Sequence, residues 1–162
     1  MSDDVVDVTA LYRRYAPELY RFAHALSGDR AEAEDVVSET FVRAWASAES
    51  IVTSTVRGYL FTIARRVYLQ RLRTRRRHTA LAPELPAAGA DPHAASEARA
   101  ELARVGAHLL RLKESDRAAL LLHAVHGLSH AEVAAALGIT PSAAKVKVHR
   151  ARLALAAWRT AE

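Results

Sequence analysis

The chain has 162 residues, of which 51% are hydrophobic and only 6% aromatic, and its formal net charge is +5. This length allows one ordinary domain or two small ones. The sequence contains no cysteine, which excludes disulfides and thiolate metal sites, and it lacks the run of about 18 apolar residues that marks a transmembrane helix. We therefore expect a soluble, cytoplasmic, largely helical protein without membrane insertion, whose basic charge suits a polyanionic partner.

The first part of the sequence predicts two consecutive helices and a loop. Apolar residues recur at helical spacing over about 8–27, and Gly28 is placed to end this helix as a C-terminal cap. Asp29 is placed to N-cap a second amphipathic helix, over about 30–47. The segment that follows, 48–55, is β-branched and rich in hydroxyls, without a helical period. It predicts an ordered loop.

A third helix is predicted over about 56–77, and its charge is one-sided. The stretch from Arg57 to Arg77 contains eight arginines and no acidic residue. At about 100° per residue, the apolar side chains share one side of this helix. The arginines on the opposite side are Arg65, Arg66, Arg73 and Arg76. A solvated face is the alternative interpretation, but solvated helices usually mix acids with bases, so the pattern favours contact with phosphates.

A break in the helical pattern divides the chain into two halves. Residues 78–95 include three prolines and one glycine, a composition typical of a flexible interdomain linker. After this linker we expect four shorter helices, over about 96–112, 115–126, 129–137 and from 141 onward. The predicted fold is therefore all-α, with two small helical domains, 1–77 and 96–162, on either side of the linker.

The last two helices have the form of a helix-turn-helix. Ser129 and Glu132 fit a capping box, Gly138 marks a tight turn, and Thr140 caps a helix that begins with Pro141. Helical hairpins that merely pack are common, but the basic exposed face of the second helix favours duplex DNA. The residues that we predict to face DNA are Thr140, Ser142, Ala143, Lys145, Lys147, His149, Arg150 and Arg152.

Together these motifs resemble the sigma-70 family, in its smallest class, the extracytoplasmic-function sigma factors. The segment 35–45 resembles the helix that binds the polymerase clamp, and 56–77 resembles the helix that melts and reads the −10 element. The segment 127–155 resembles the region 4 helix-turn-helix that reads the −35 element. The resemblance implies a promoter-directing sigma factor and not an enzyme. Its implied partners are core RNA polymerase and promoter DNA, with an anti-sigma factor as a further candidate.

The resemblance also assigns roles to individual residues. Those implied to bind core polymerase are Asp35, Glu39, Thr40, Phe41 and Arg43. Those implied to bind the −10 element are Ser50, Thr53, Ser54, Arg57, Arg65, Arg66, Gln70, Arg73 and Arg76. The eight helix-turn-helix residues named above would bind the −35 element. Phe41 and Trp45 also lie on or beside an apolar stripe, which favours a place in the core for both.

Departures from the family pattern fall where promoter preference is set. Arg66 and Gln70 stand where asparagine and aspartate are frequent, and Val146 and Lys147 stand where serine and arginine are common. Ser38 likewise replaces a usual glutamine. The family scaffold therefore transfers to this chain, whereas the promoter sequences of relatives do not.

Two other classes of function are compatible with parts of the sequence. A helix-turn-helix transcriptional regulator with an N-terminal sensor or dimerisation domain would explain the C-terminal half but not the arginine-rich helix. An enzyme is disfavoured because the sequence contains no glycine-rich phosphate loop and no nucleophile motif. His123, His126 and His130 lie close together in sequence without a cysteine or carboxylate to complete a tetrahedral site. We accordingly predict no metal and no cofactor.

Overall fold

The computed structural model describes residues 7–47, 56–79 and 96–161. Within these ranges the chain is helical and contains no strand. The helices are α1 (Val8–Ser27), α2 (Arg30–Ala46), α3 (Val56–Thr79), α4 (Glu97–Arg111), α5 (Glu114–Leu120), α6 (His130–Leu137) and α7 (Pro141–Thr160). A π-helical turn, Leu121–Val125, continues α5. The prediction of an all-α fold with two helical domains is confirmed, whereas the predicted loop 48–55 and residues 80–95 of the predicted linker lie outside the described residues.

The helix boundaries follow from capping residues that the sequence already shows. Gly28 ends α1 in the left-handed conformation (φ 71°), where its amide donates to the carbonyl of His24 at 2.7 Å. Asp29 then accepts from the amide of Glu32 at 3.1 Å and starts α2. These two caps make the reversal between α1 and α2 short, so that the helices pack against each other.

The first domain is a three-helix bundle of α1, α2 and α3. Phe22 and Phe61 meet edge to face at its centre, with ring centroids 5.3 Å apart, and both rings are fully buried. Glu32 is also buried, and its carboxylate accepts from Arg71 at 2.8 Å and pairs with Arg75. A buried carboxylate must be paired to be tolerated, so two of the arginines of α3 hold this domain together.

The second domain packs α4 to α7 around Leu122, Leu128, Val133 and Val148, all of them at most 1% exposed. A buried arginine, Arg117, ties the end of α4 to α5, because its Nη1 donates to the carbonyl of Leu112 at 2.9 Å. That carbonyl lies at the C-terminal end of α4, where a helix leaves its acceptors unsatisfied.

The helix-turn-helix is closed by the predicted caps. The hydroxyl of Ser129 accepts from the amide of Glu132 and the carboxylate of Glu132 accepts from the amide of Ser129, both at 3.1 Å. Gly138 forms the turn at φ 68°, and the hydroxyl of Thr140 accepts from the amide of Ala143 at 3.1 Å. The capping box and the proline-started second helix are therefore confirmed.

The two domains are in contact along α3 and at the C-terminal end of α1. Arg65 of α3 pairs with Glu114 of α5, with Nε–Oε1 and Nη2–Oε2 distances of 2.9 and 2.8 Å. At the start of α3, the guanidinium of Arg57 donates to the carbonyl of His126. Leu110 packs on Gly28 so closely that a Cβ at this glycine would lie 2.7 Å from a methyl carbon of the leucine. The surface of α3 near these arginines is thus covered by the second domain.

Trp45 does not lie in the core, contrary to the expectation from the sequence. Its side chain is 72% exposed, whereas Ala44 beside it is fully buried. The buried stripe of α2 is centred on Ala33, Thr40 and Ala44, and Trp45 lies roughly 120° around the helix from that centre. The prediction that Trp45 lies in the core is therefore wrong.

Candidate functional site

The last helix, α7, has a buried face and an exposed face. Ala144, Val148 and Ala151 are at most 1% exposed and lock α7 onto the domain. Side chains on the opposite side are exposed. They are Ser142, Lys145, Val146, His149, Arg150, Arg152 and Leu153. Of the other predicted −35 residues, Thr140 is exposed at the cap, whereas Ala143 and Lys147 are half-buried.

A buried acid, Asp116, holds two basic residues of α7. Its carboxylate oxygens accept from Nε and Nη2 of Arg150 at 3.0 and 2.9 Å. Lys147 donates to the hydroxyl of Ser115 at 3.1 Å, and its Nζ lies 3.7 Å from Asp116. Arg150 and Lys147 are therefore drawn toward α5, at the side of the exposed face. Asp116 could not be identified from sequence spacing, since it precedes Arg150 by 34 positions.

The predicted −10 residues of α3 divide into three groups. Arg66, Arg73 and Arg76 are exposed. Arg57 and Arg65 are engaged at the contact with the second domain. Gln70 is exposed and accepts from the guanidinium of Arg43 on α2. The three hydroxyl residues predicted to line the −10 pocket, Ser50, Thr53 and Ser54, lie outside the described residues.

Charges at the start of α3 form a cluster with the second domain. Nε of Arg57 donates to both carboxylate oxygens of Glu18 at 3.2 Å, and these hydrogen bonds lower the pKa of Glu18. His126 is 7% exposed, and burial lowers the pKa of its imidazole although Nδ1 lies 3.4 Å from Glu18. The cluster thus favours an ionised glutamate and a neutral histidine.

The residues predicted to bind polymerase lie partly on the surface and partly beneath it. Asp35, Glu39 and Arg43 keep 60%, 37% and 38% of their side chains exposed. Phe41 is 6% exposed and packs edge to face on Tyr12, with centroids 4.9 Å apart. Thr40 is fully buried, and its hydroxyl donates to the carbonyl of Val36 at 2.6 Å. The structure therefore places the charged residues where a protein can reach them, with Thr40 and Phe41 as their support.

Two apolar side chains that the prediction omitted flank this charged surface. Val42 is 66% exposed and Trp45 is 72% exposed, on the same helix as Glu39 and Arg43. Large exposed apolar groups beside charges are typical of protein interfaces, where aromatic residues and arginine are enriched.

Two of the histidines form a stacked pair. The rings of His123 and His130 lie 4.2 Å apart, and Nδ1 of His123 lies 2.7 Å from the carbonyl of Leu128. In the described part of the chain, no three His, Asp or Glu side chains come together to form a metal site. Among the described helices, none has the length and hydropathy needed to cross a membrane.

Comparison with known proteins accounts for both domains. The sigma-70 region 2 family model matches residues 11–78, and the sigma-70 region 4 model matches residues 102–155. SigL of Mycobacterium tuberculosis, an ECF RNA polymerase sigma factor, is 34% identical over 150 residues, covering 90% of this chain and 85% of the relative. SigE of Mycolicibacterium smegmatis, another such factor, is 33% identical over 147 residues, which are 88% of this chain but 57% of the longer relative.

Two solved structures have a similar arrangement of helices. The sigma factor RpoE of Bartonella quintana, in complex with the anti-sigma factor NepR, is 28% identical with a TM-score of 0.77, covering 92% of this chain and 94% of that chain. CnrH, in complex with the cytosolic domain of CnrY, is 28% identical with a TM-score of 0.73, covering 96% and 88%. A region 2 match on the first helical domain and a region 4 match on the second define a sigma-type protein. This chain belongs to the sigma-70 family, among the extracytoplasmic-function RNA polymerase sigma factors.

Proposed function

We propose that this protein directs core RNA polymerase to specific promoters and helps to open their −10 region. The observation that carries the proposal is the placement of three surfaces of different chemistry on one chain. They are a mixed charged and apolar surface on α2, exposed arginines on α3, and the exposed basic face of α7. A conventional regulator needs only the last of these.

The polymerase contact in this proposal is made by α2. Asp35, Glu39 and Arg43 supply exposed charges, and Thr40 and Phe41 act by fixing the helix that carries them. We assign residues 1–77 to the binding of polymerase and the −10 element. Residues 78–95 would connect the domains, and residues 96–162 would bind the −35 element.

The −10 contact is assigned to α3 and to the loop before it. Arg66, Arg73 and Arg76 are exposed and can approach phosphates directly. Arg57 and Arg65 must first leave their partners in the second domain. Opening a promoter extrudes a base at a cost of a few kcal/mol, so hydroxyls at Ser50, Thr53 and Ser54 would recover energy by hydrogen bonding to it. Gln70 would act from the same helix.

The −35 contact is assigned to the exposed face of α7. Ser142 and Ala143 lie in its first turn, where a recognition helix meets base edges. Lys145, His149 and Arg152 follow on the exposed side and are placed for the phosphates. Thr140 caps the helix, and Lys147 and Arg150 join the contact from the side nearest Asp116.

Relatives suggest one further partner and a compartment. Both solved structures named above are complexes, one with an anti-sigma factor and the other with the cytosolic domain of CnrY. We therefore include an anti-sigma factor among the partners of this chain. We assign the protein to the cytoplasm, because core RNA polymerase and the chromosome are found there.

Reconstitution with core RNA polymerase tests the proposal. The protein should co-purify with core enzyme, and run-off transcripts from the source genome should reveal new start sites. Arg152→Ala should weaken use of −35-dependent promoters without affecting core binding. Arg159→Ala, an exposed arginine on the same helix, is the matched control. If the protein neither co-purifies with core enzyme nor produces new start sites, it is not a sigma factor.

A further inference from the structure

An apolar side chain occupies the middle of the exposed face of α7. Val146 is 58% exposed, about one turn after Ser142 and one turn before His149. The buried residues Ala144 and Val148 lie on the other side of the helix. Val146 therefore points away from the domain that α7 belongs to.

Val146 has little to contribute to the fold from this position. A β-branched residue is a weaker helix former than alanine, and an exposed side chain removes little apolar surface from water. A single exposed valine is ordinary on a protein surface. The position of this one is not ordinary, because it lies at the centre of the exposed face of a helix that the family model assigns to region 4.

Two basic side chains close to Val146 are held at one side of the exposed face, away from its centre. Arg150 and Lys147 are drawn aside by Asp116 and Ser115 toward α5. Val146 lies nearly opposite the buried residues Ala144, Val148 and Ala151, so its isopropyl group points into the groove when this face of α7 enters it. Any base contact at this point must therefore be a contact with an apolar group.

In the major groove, thymine alone among the four bases presents an apolar group, its 5-methyl. We propose that Val146 packs on the 5-methyl group of a thymine in the −35 duplex, which makes promoter choice by this protein depend on that methyl. The inference rests on the proposed function, since it assumes that α7 enters the −35 element. What it adds is the DNA group that Val146 recognises, at a position where the sequence departs from the family pattern.

Replacing thymine by deoxyuridine removes the methyl and leaves every hydrogen-bonding group in place. The test uses full-length protein bound to core polymerase, and a promoter found by run-off transcription. Each −35 thymine, on either strand, is replaced in turn by deoxyuridine. At one position we expect the wild-type holoenzyme to bind about three- to fivefold more weakly, the effect of losing one buried methyl.

A double-mutant cycle assigns this loss to Val146. Holoenzyme with Val146→Ala should bind the thymine and deoxyuridine promoters equally well. Leu153→Ala is the matched control, because Leu153 is also 58% exposed and lies on the same side of α7 two turns later. This variant should keep the full preference for thymine.

Three outcomes overturn the inference while leaving the proposed function intact. The first is a −35 element that contains no thymine. The second is wild-type holoenzyme whose binding does not change with deoxyuridine at any position. The third is Val146→Ala holoenzyme that still binds the thymine promoter more tightly than the deoxyuridine promoter. Failure of the proposed function is different, because the protein would then not initiate transcription with core polymerase on any template.

Discussion

Arg65 of α3 and Glu114 of α5 form a two-point ion pair that joins the two domains. The pair is largely shielded, since the two side chains are 12% and 17% exposed. Arg65 is also one of the residues assigned to the −10 element. A carboxylate that holds a guanidinium in this geometry neutralises it locally. In the proposed −10 contact, Glu114 would therefore compete with DNA phosphate for Arg65.

Glu114→Gln should therefore raise the affinity of the free protein for single-stranded −10 DNA. The substitution keeps the shape of the side chain and removes its charge, and we expect a gain of roughly fivefold, equivalent to about 1 kcal/mol. Fluorescence anisotropy with a labelled oligonucleotide measures it. Glu101→Gln is the control, since Glu101 is an exposed acid that pairs with Arg104 of its own helix. Equal gains for both variants would mean that net charge, and not the release of Arg65, is responsible.

Asp116→Asn should change how DNA binding by the second domain depends on salt. The substitution releases Arg150 and Lys147 from a carboxylate, which leaves two more cations for phosphate. The slope of log K against log salt concentration should steepen by roughly one to two for −35 duplex DNA. The exposed acid Glu97 provides the control variant, Glu97→Gln. An unchanged slope for Asp116→Asn would show that both cations already reach phosphate while bound to Asp116.

Local features of this fold were predictable from the sequence. Gly28, Ser129, Gly138 and Thr140 act within four residues of themselves, so the rules of helix capping suffice to place them. The arginine-rich face of α3 and the basic face of α7 also follow from periodicity. Family resemblance added the functional roles.

Long-range pairings were not predictable in the same way. Arg65 meets Glu114 and Arg150 meets Asp116 across 49 and 34 positions. Nothing in the spacing of charges selects one acid among several for each arginine, because the choice depends on how the helices pack. Trp45 was misplaced for a different reason, because its position about 120° from the centre of the buried stripe takes its side chain off the packed face.

Phe41→Ala should lower the stability of the protein, whereas Trp45→Ala should weaken binding to core polymerase without lowering stability. Phe41 is buried against Tyr12, so its truncation should cost about 3–5 kcal/mol of unfolding free energy. Trp45 is 72% exposed, so Trp45→Ala should leave the unfolding midpoint nearly unchanged while it weakens binding to core polymerase. Urea unfolding and co-purification separate the two effects. A Trp45→Ala variant that binds core enzyme normally would remove this residue from the polymerase surface.

Acid should weaken the protein in two successive steps that belong to different groups. The pKa of His126 is lowered from its ordinary value of 6.5 by burial, so the unfolded chain binds a proton on this residue before the folded chain does. Stability contributed by the neutral imidazole is therefore complete above 6.5 and is lost as the pH falls through the lower folded pKa. The pKa of Glu18 is lowered from 4.5 by Arg57, so its contribution is lost at a lower pH, below 4.5.

His126→Phe should abolish the first of these steps and leave the second. Phenylalanine retains a ring beside Phe61 and Phe22, which lie 4.9 and 5.8 Å from the imidazole, but it cannot be protonated. Urea unfolding between about pH 7.5 and pH 5 should show stability falling with acid in the wild type and falling much less in the variant. His149→Gln, which removes an exposed histidine, should behave as the wild type does. If the full acid-dependent loss persists in His126→Phe, another group is responsible for it.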